Sequence, residues 1–202
     1  MILKPFLREN FIPLPVGFIS TVNKEGIRNI APYSCLMPVL RPLDLICIAS
    51  AKRRDTLDNI KEMNEFVINM TGIDFADKVV PTAKHTAPEI DEYDYAQIEE
   101  KKSRVIKTPG IKGSYAWMEC ELFKIYEEPT YDLIMGKVVN LEADDKYLKK
   151  DGSLDVEKAK PLFNVGDSTG MNFCTVNEIG THEPFGAMFP DGKDPLSKKY
   201  VE

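Results

Sequence analysis

The sequence predicts a mainly β fold, a β-barrel of antiparallel strands with short helices. Three observations support this prediction: apolar, β-branched runs recur along the chain, turn residues separate several of them, and helical periodicity is confined to short segments. Strands joined by hairpins, with few helices, are typical of antiparallel barrels. The length of 202 residues suits a single domain covering 1–202.

The first half of the chain supplies three predicted strands. Residues 14–22 are apolar and β-branched, the NKEG segment at 23–26 has hairpin-turn chemistry, and residues 27–33 run back as a partner strand. A third strand is predicted at 43–49. These strands form the start of the predicted barrel.

A helix is predicted to begin at Asp55, a candidate N-cap, and to end at Asn64. Its apolar positions share one helical face: Leu57, Ile60 and Met63. The next strand follows at once, at 66–70.

The second half begins with a polar stretch at 72–113, for which we expect a helix near 74–80 and then a long surface excursion. Its acidic residues are interpreted as a solvated face: Glu89, Asp91, Glu92 and Asp94. Strands resume at 115–126 and 131–142. Gly136 interrupts the latter, which predicts a bulge or a close approach of another group.

Composition excludes several classes of function. The net charge of −6 argues against a nucleic-acid partner. The four cysteines form no CxxC pair, and His85 and His182 are interpreted as surface residues, so no metal centre is expected. Without a leader or an apolar run of membrane-spanning length, we expect a cytoplasmic protein with no membrane partner.

A basic triplet, Lys52 to Arg54, lies where a predicted strand ends and the predicted helix begins. Free N–H groups at a helix start, adjacent cations and the Thr56 hydroxyl together favour an anion, most often a phosphate. The alternative is that the triplet only solvates a loop. No GxGxxG or Walker pattern is present, so neither a Rossmann nor a P-loop site is predicted.

A second cluster, NIAPYS at 29–34, contains Pro32, which cannot donate to a sheet ladder and therefore indicates an edge, a bulge or a strand end. Backbone amides and the Ser34 hydroxyl would then be free to meet a planar polar ligand. The alternative is a simple strand end where Ser34 caps its own turn. No acid/base or nucleophile set is visible, so a cofactor would supply the chemistry.

These segments together resemble the FMN-binding split-barrel proteins of the flavin reductase-like, or flavoredoxin, group. The likeness covers most of residues 10–175. The matching motifs are Ser20-Thr21, Gly26, NIAPYS at 29–34, RDT at 54–56, Asn59, EFVIN at 65–69, YDLIMGKVVNL at 131–141 and DGSLDVEKAKPLFNVGDSTGMNF at 151–173.

The resemblance implies a six-stranded antiparallel FMN-binding split barrel that forms a homodimer and holds FMN near the subunit interface. The implied cofactor-binding residues are Asn29, Ala31, Pro32, Tyr33, Ser34, Ser50, Ala51, Lys52, Arg53, Arg54 and Thr56. The resemblance places Asn29, Ala31, Pro32 and Ser34 at the edge of the isoalloxazine ring. The basic triplet, with Ser50 and Thr56, would hold the phosphate. Residues 85 and 86 of the excursion would close over the flavin or reach the neighbouring subunit.

The resulting prediction is an FMN-binding oxidoreductase, either a flavin reductase or a flavoredoxin-like electron carrier. NAD(P)H or a redox protein would be the donor, and a flavin, a partner or a small molecule the acceptor. Two alternatives stay open: an enzyme similar to pyridoxamine-phosphate oxidase, and a non-catalytic module that binds FMN or a partner's phosphate.

Overall fold

The computed structural model describes residues 1–166, 170–180 and 183–196, so His182 lies outside the described residues. The strands are β1 Leu14–Pro15, β2 Gly17–Val22, β3 Arg28–Tyr33, β4 Leu36–Pro38, β5 Leu45–Ala51, β6 Glu65–Met70, β7 Glu100–Lys101, β8 Gly110–Ile111, β9 Ala116–Glu127, β10 Tyr131–Ala143, β11 Phe163–Gly166 and β12 Met171–Cys174. The α-helices are α1 Asp55–Met63, α2 Ala76–Ala83, α3 Glu92–Ala96 and α4 Val156–Ala159.

The main sheet is antiparallel, with seven strands in the order β3-β2-β6-β9-β10-β5-β4. The mainly β prediction is confirmed, but the expected six strands become seven because the three-residue β4 extends the edge beyond β5. The predicted strand at 14–22 is divided at Val16. Its first part, β1, pairs with β11 in a separate sheet. Its second part, β2, pairs with β3 and β6 in the main sheet.

Successive residues of β2 supply two core clusters. Phe18 packs with Ile30 and Tyr93 in one cluster, whereas Ile19 packs with Phe66 in the other. Because neighbouring side chains of a strand point to opposite faces, these clusters cover both sides of the sheet. This explains why β2 is buried continuously from Gly17 to Thr21 rather than at alternate residues.

Gly136 lies at a bulge and is also closely approached by another residue, the two features that the sequence predicts for it. The β9–β10 register shifts between Met135 and Gly136, as at a bulge. A Cβ at residue 136 would also overlap the ring of Phe66, which is fully buried. The prediction of a bulge or close approach is therefore confirmed.

Helix α1 begins with Asp55 as its first helical residue, so the cap prediction is wrong by one position: the N-cap is Arg54, which makes no side-chain capping bond. The predicted end is confirmed, since Asn64 adopts the left-handed conformation (φ 58°) and its N–H donates to the Ile60 carbonyl. None of the described helices is long and apolar enough to cross a membrane.

The polar stretch 72–113 is more ordered than an excursion over the surface, because it contains α2, α3 and the β7–β8 pair. Carboxylates from the main sheet anchor its last part. Glu119 of β9 accepts bonds from the N–H groups of Arg104, Val105 and Ile106 at 2.7–3.1 Å. Glu65 of β6 accepts from the N–H groups of residues 107 and 108.

Candidate functional site

A cavity of about 200 Å³ lies where β3, the end of β5, the start of α1 and the segment after α2 meet. Eight of the predicted cofactor residues line it: Asn29, Ala31, Pro32, Tyr33, Ala51, Arg53, Arg54 and Thr56. The fold thus brings together two clusters that are separated by some twenty residues of sequence. Ser34, Ser50 and Lys52 lie outside this lining.

Strand β3 forms one wall, and it is an edge strand of the main sheet, paired with β2 alone. This position explains how Pro32 is tolerated within a strand, and it confirms the edge interpretation. The outer side of β3 faces α2 and α3 rather than another strand. Its residues 31–33 are therefore available to the cavity.

In the basic triplet, Lys52 points away from the cavity that Arg53 and Arg54 line. Lys52 pairs with Asp132 of β10, which is fully buried and also lies 2.9 Å from Lys61 of α1. Arg53 and Arg54 line the cavity and form no ion pair with any residue in 1–166, 170–180 or 183–196. Two of the three predicted cations therefore remain available for an anion.

Burial by itself would raise the pKa of Asp132, but the adjacent Lys52 and Lys61 ammonium groups outweigh it and lower that pKa. The carboxylate is therefore ionised at neutral pH and holds Lys52 against the sheet. Arg53, the next residue, has φ 61°, a left-handed backbone that is uncommon for residues with a side chain. Because of this turn, the Lys52 side chain points toward Asp132, whereas Arg53 and Arg54 line the cavity.

A chain of hydrogen bonds runs beneath the cavity and converges on Asn29. Its Oδ1 accepts from Thr56 Oγ1 at 2.8 Å and from Thr21 Oγ1 at 3.3 Å. Thr21 in turn accepts from Asn59 Nδ2 at 3.0 Å. All four residues are buried, so the network fixes the start of α1 against β2 and β3.

Tyr33 places a phenol in the cavity wall, with its hydroxyl 2.9 Å from Ser50 Oγ. Burial raises the pKa of Tyr33, so the phenol is protonated at neutral pH. Ser50 is itself buried, and its hydroxyl also bonds the Ala51 carbonyl. The structure thus gives Ser50 a supporting position behind Tyr33.

Glu92 is the lining residue that sequence reasoning missed, and its interpretation as part of a solvated acidic face is wrong. It is 4% exposed, whereas Glu89 and Asp94 of the same run are exposed. Asp91 is not free either, since it pairs with Arg28 at 2.7 Å. No local signal in the run distinguishes Glu92, because two of its three hydrogen-bond partners lie on β3.

The end of α2 and the segment after it form the opposite wall through residues 82–86. His85 is exposed, as the sequence predicts, and yet it faces the cavity together with Lys84. Lys84 adds a third cation to those of Arg53 and Arg54. Arg53 and Arg54 stand at the start of a nine-residue helix and Lys84 lines the opposite wall, so the cavity suits an anionic group.

Comparisons with known proteins agree with this architecture. The model of the family described as "Flavin reductase like domain" matches residues 8–162. A protein of Methanothermobacter thermautotrophicus is 60% identical over 205 residues, covering 99% of this chain and 97% of the relative. A protein of Aquifex aeolicus is 31% identical over 162 residues, covering 77% and 82%.

Solved structures also match. Nitrilotriacetate monooxygenase component B from Bacillus cereus superposes with a TM-score of 0.78 at 28% identity, covering 90% of this chain and 98% of that one. Flavoredoxin of Desulfovibrio vulgaris gives 0.77 at 16% identity, covering 88% and 93%, which establishes a shared fold alone. The fold class predicted from the sequence, a split barrel, is thereby confirmed. On the family match and these relatives, the chain belongs to the flavin reductase-like family.

Proposed function

We propose that this chain is an FMN-binding oxidoreductase that passes electrons from NAD(P)H or a reduced redox protein to a flavin or another acceptor. One observation carries the proposal: a single cavity joins Arg53 and Arg54, which form no ion pair with a described residue, to the outer edge of strand β3. Family membership supports a flavin as the ligand. The name of the structural relative at 28% identity, a monooxygenase component, supports redox chemistry.

The phosphate of FMN would lie at the start of α1. The first N–H groups of a helix have no intrahelical acceptor, and the guanidinium groups of Arg53 and Arg54 can each donate to phosphate oxygens. Thr56 takes part differently from the sequence prediction, because its hydroxyl proton is committed to Asn29 Oδ1. We therefore assign the phosphate to the Thr56 backbone N–H rather than to its hydroxyl.

The ring system would lie along β3, beside Ala31, Pro32 and Tyr33. When bound, FMN supplies the redox chemistry, which no acid/base set of this chain could replace. The apolar atoms of this edge exclude water from one side of the ligand. The Tyr33 hydroxyl, fixed by Ser50, provides a polar group at a defined position.

A homodimer is part of the proposal. Cavities that bury a cofactor-sized ligand usually measure about 300–1,000 Å³. The cavity of one chain is about 200 Å³, which suits part of FMN. A second copy would cover the remaining ligand surface.

The proposal is tested by titrating the purified protein with FMN and following flavin fluorescence, then adding NADH or NADPH anaerobically. Replacing both Arg53 and Arg54 by alanine is expected to weaken FMN binding about tenfold or more per arginine, since hydrogen bonds to charged groups are involved. The matched control replaces Lys102 and Lys107, two exposed cations of another segment, by alanine, and it should leave the affinity for FMN unchanged.

Each outcome decides between the alternatives. Bound flavin that NAD(P)H bleaches supports a flavin reductase, and flavin that only dithionite bleaches supports an electron carrier fed by another protein. Bound FMN that exchanges electrons with no donor would favour a non-catalytic module. Failure of the wild-type chain to bind FMN at saturating concentration would refute the proposal.

A further inference from the structure

Glu92 joins strand β3, which lies 62 and 63 residues earlier in the chain, to Thr86, which lies 6 residues before it. Its Oε2 accepts from Asn29 Nδ2 at 2.7 Å and from the Ile30 N–H at 2.9 Å, both on β3. Its Oε1 accepts from Thr86 Oγ1 at 2.7 Å. One buried side chain on α3 thus ties the sheet edge to the segment on the opposite wall of the cavity.

The chemistry of these partners favours an ionised carboxyl group. The Asn29 amide nitrogen and the Ile30 N–H can only donate. The Asn29 amide cannot simply flip, because its oxygen already receives the hydroxyl proton of Thr56. A protonated or amide side chain at position 92 could keep all three contacts only if the Thr86 hydroxyl turned to accept instead of donating, and every bond would lose the assistance of the negative charge.

We propose that Glu92 is a positioning residue which, as a carboxylate, fixes the Asn29 amide and latches the 84–86 segment against the cavity. The Asn29 amide in turn orients Thr56 at the start of α1, so the latch and the anion site share one network. The consequence for FMN affinity rests on the proposed function. The latch itself does not, since it consists of bonds within this chain.

The surroundings of Glu92 make the latch sensitive to pH. Burial raises the pKa of Glu92, and the charges of Asp55 on α1 and Asp91 on α3 add to the rise. Arg28 of β3 is paired with Asp91, while Lys84 and His85 lie on the latched segment. Because the three bonds are strongest to the ionised carboxylate, the latch is strongest above this raised pKa and weakens as the pH falls through it.

The first test measures the latch without any ligand. Trypsin cleavage after Lys84, an exposed residue, reports how often the segment opens, and cleavage after the exposed Lys112 serves as the internal reference. We expect Thr86→Val to raise the ratio of cleavage at Lys84 to cleavage at Lys112 about tenfold at pH 8, the equivalent of one charge-assisted hydrogen bond. Glu92→Gln should raise it by less, because the Thr86 hydroxyl can turn to accept from the amide. Thr86→Ser retains the hydroxyl and should behave as wild type.

Thermal unfolding of each variant separates local opening from global loss of structure. If Glu92→Gln unfolds, the Thr86→Val and Thr86→Ser pair alone decides, because those changes leave the carboxylate in place. Equal cleavage ratios for wild type and Thr86→Val would overturn the proposal.

The second test measures FMN affinity as a function of pH in a His85→Gln background. The parent should lose more affinity than Glu92→Gln as the pH falls, because the FMN phosphate titrates in both proteins and the Glu92 carboxyl group in the parent alone. Parallel pH profiles would overturn the role of Glu92. If FMN binds to no variant including the parent, the proposed function fails, and the cleavage test still judges the latch.

Discussion

Replacing Gly136 by alanine would place a methyl group in space that the ring of Phe66 occupies. The added Cβ would overlap Phe66 Cζ and would stand 3.1 Å from Cε1 and 3.3 Å from Cys120 Cβ. Ordinary carbon contacts lie at about 3.5–4.0 Å. Because Phe66 and Cys120 are both fully buried, neither can swing into solvent to relieve the overlap.

The ring must therefore retreat into a packed core, and overpacking of this kind costs about 1–3 kcal/mol. A loss of about 2 kcal/mol in the free energy of unfolding corresponds to a fall in Tm of about 4–8 °C for a domain of this size. Alanine otherwise favours folding over glycine by reducing the entropy of the unfolded chain, so the measured loss will be the difference between the two effects.

The assay is chemical denaturation with Gly166→Ala as the matched control, a strand glycine whose added Cβ meets nothing closer than 3.5 Å. Shortening the ring by Phe66→Leu should rescue Gly136→Ala, so that the double variant loses less than the sum of the single changes. If Gly136→Ala is as stable as Gly166→Ala, the steric reasoning is refuted.

Three further changes test other parts of the structure. Asp132→Asn should lower the free energy of unfolding by about 1–2 kcal/mol, since Lys52 and Lys61 keep some solvent contact. The pKa of Asp132 is lowered on folding, so the greater stability of the wild type should be lost as the pH falls through that lowered pKa. Equal stability of the two proteins at pH 7 would contradict this prediction. Glu119→Gln should speed hydrogen exchange of the amides at 104–106 about tenfold or more, without a matching change at α1 amides. Arg53→Gly should leave the free energy of unfolding unchanged or raise it by up to about 1 kcal/mol, because glycine accepts the left-handed backbone at residue 53. The affinity for FMN should fall about tenfold with the loss of the guanidinium group. A destabilised variant with full affinity would refute both expectations.

The elements that the sequence predicts well are those governed by local chemistry. The hairpin of β2 and β3, the end of α1 at Asn64 and the constraint at Gly136 each follow from a turn residue, a helix stop or a missing side chain. The break at Val16 could not be predicted in this way. It arises because β1 pairs with β11, roughly 150 residues later in the chain.

The same distinction applies to the candidate site. The approach of Arg53 and Arg54 to a helix start is visible in the sequence, because strand, triplet and helix are adjacent. Lys52 points away from the cavity because it pairs with Asp132. Glu92 is buried because it bonds to β3, 62 residues away. Such long-range pairs leave no periodicity in the local sequence, and an acidic run beside Glu92 looks like a solvated face.

The two outermost strands of the main sheet share a feature with a consequence for self-association. Strand β3 contains Pro32 and strand β4 ends in Pro38, so each open edge lacks a backbone donor. Edge strands that cannot donate are poor templates for a further strand, which protects a β protein from runaway edge-to-edge aggregation. Two copies of this chain would therefore be hindered from joining their main sheets edge to edge into a continuous ribbon.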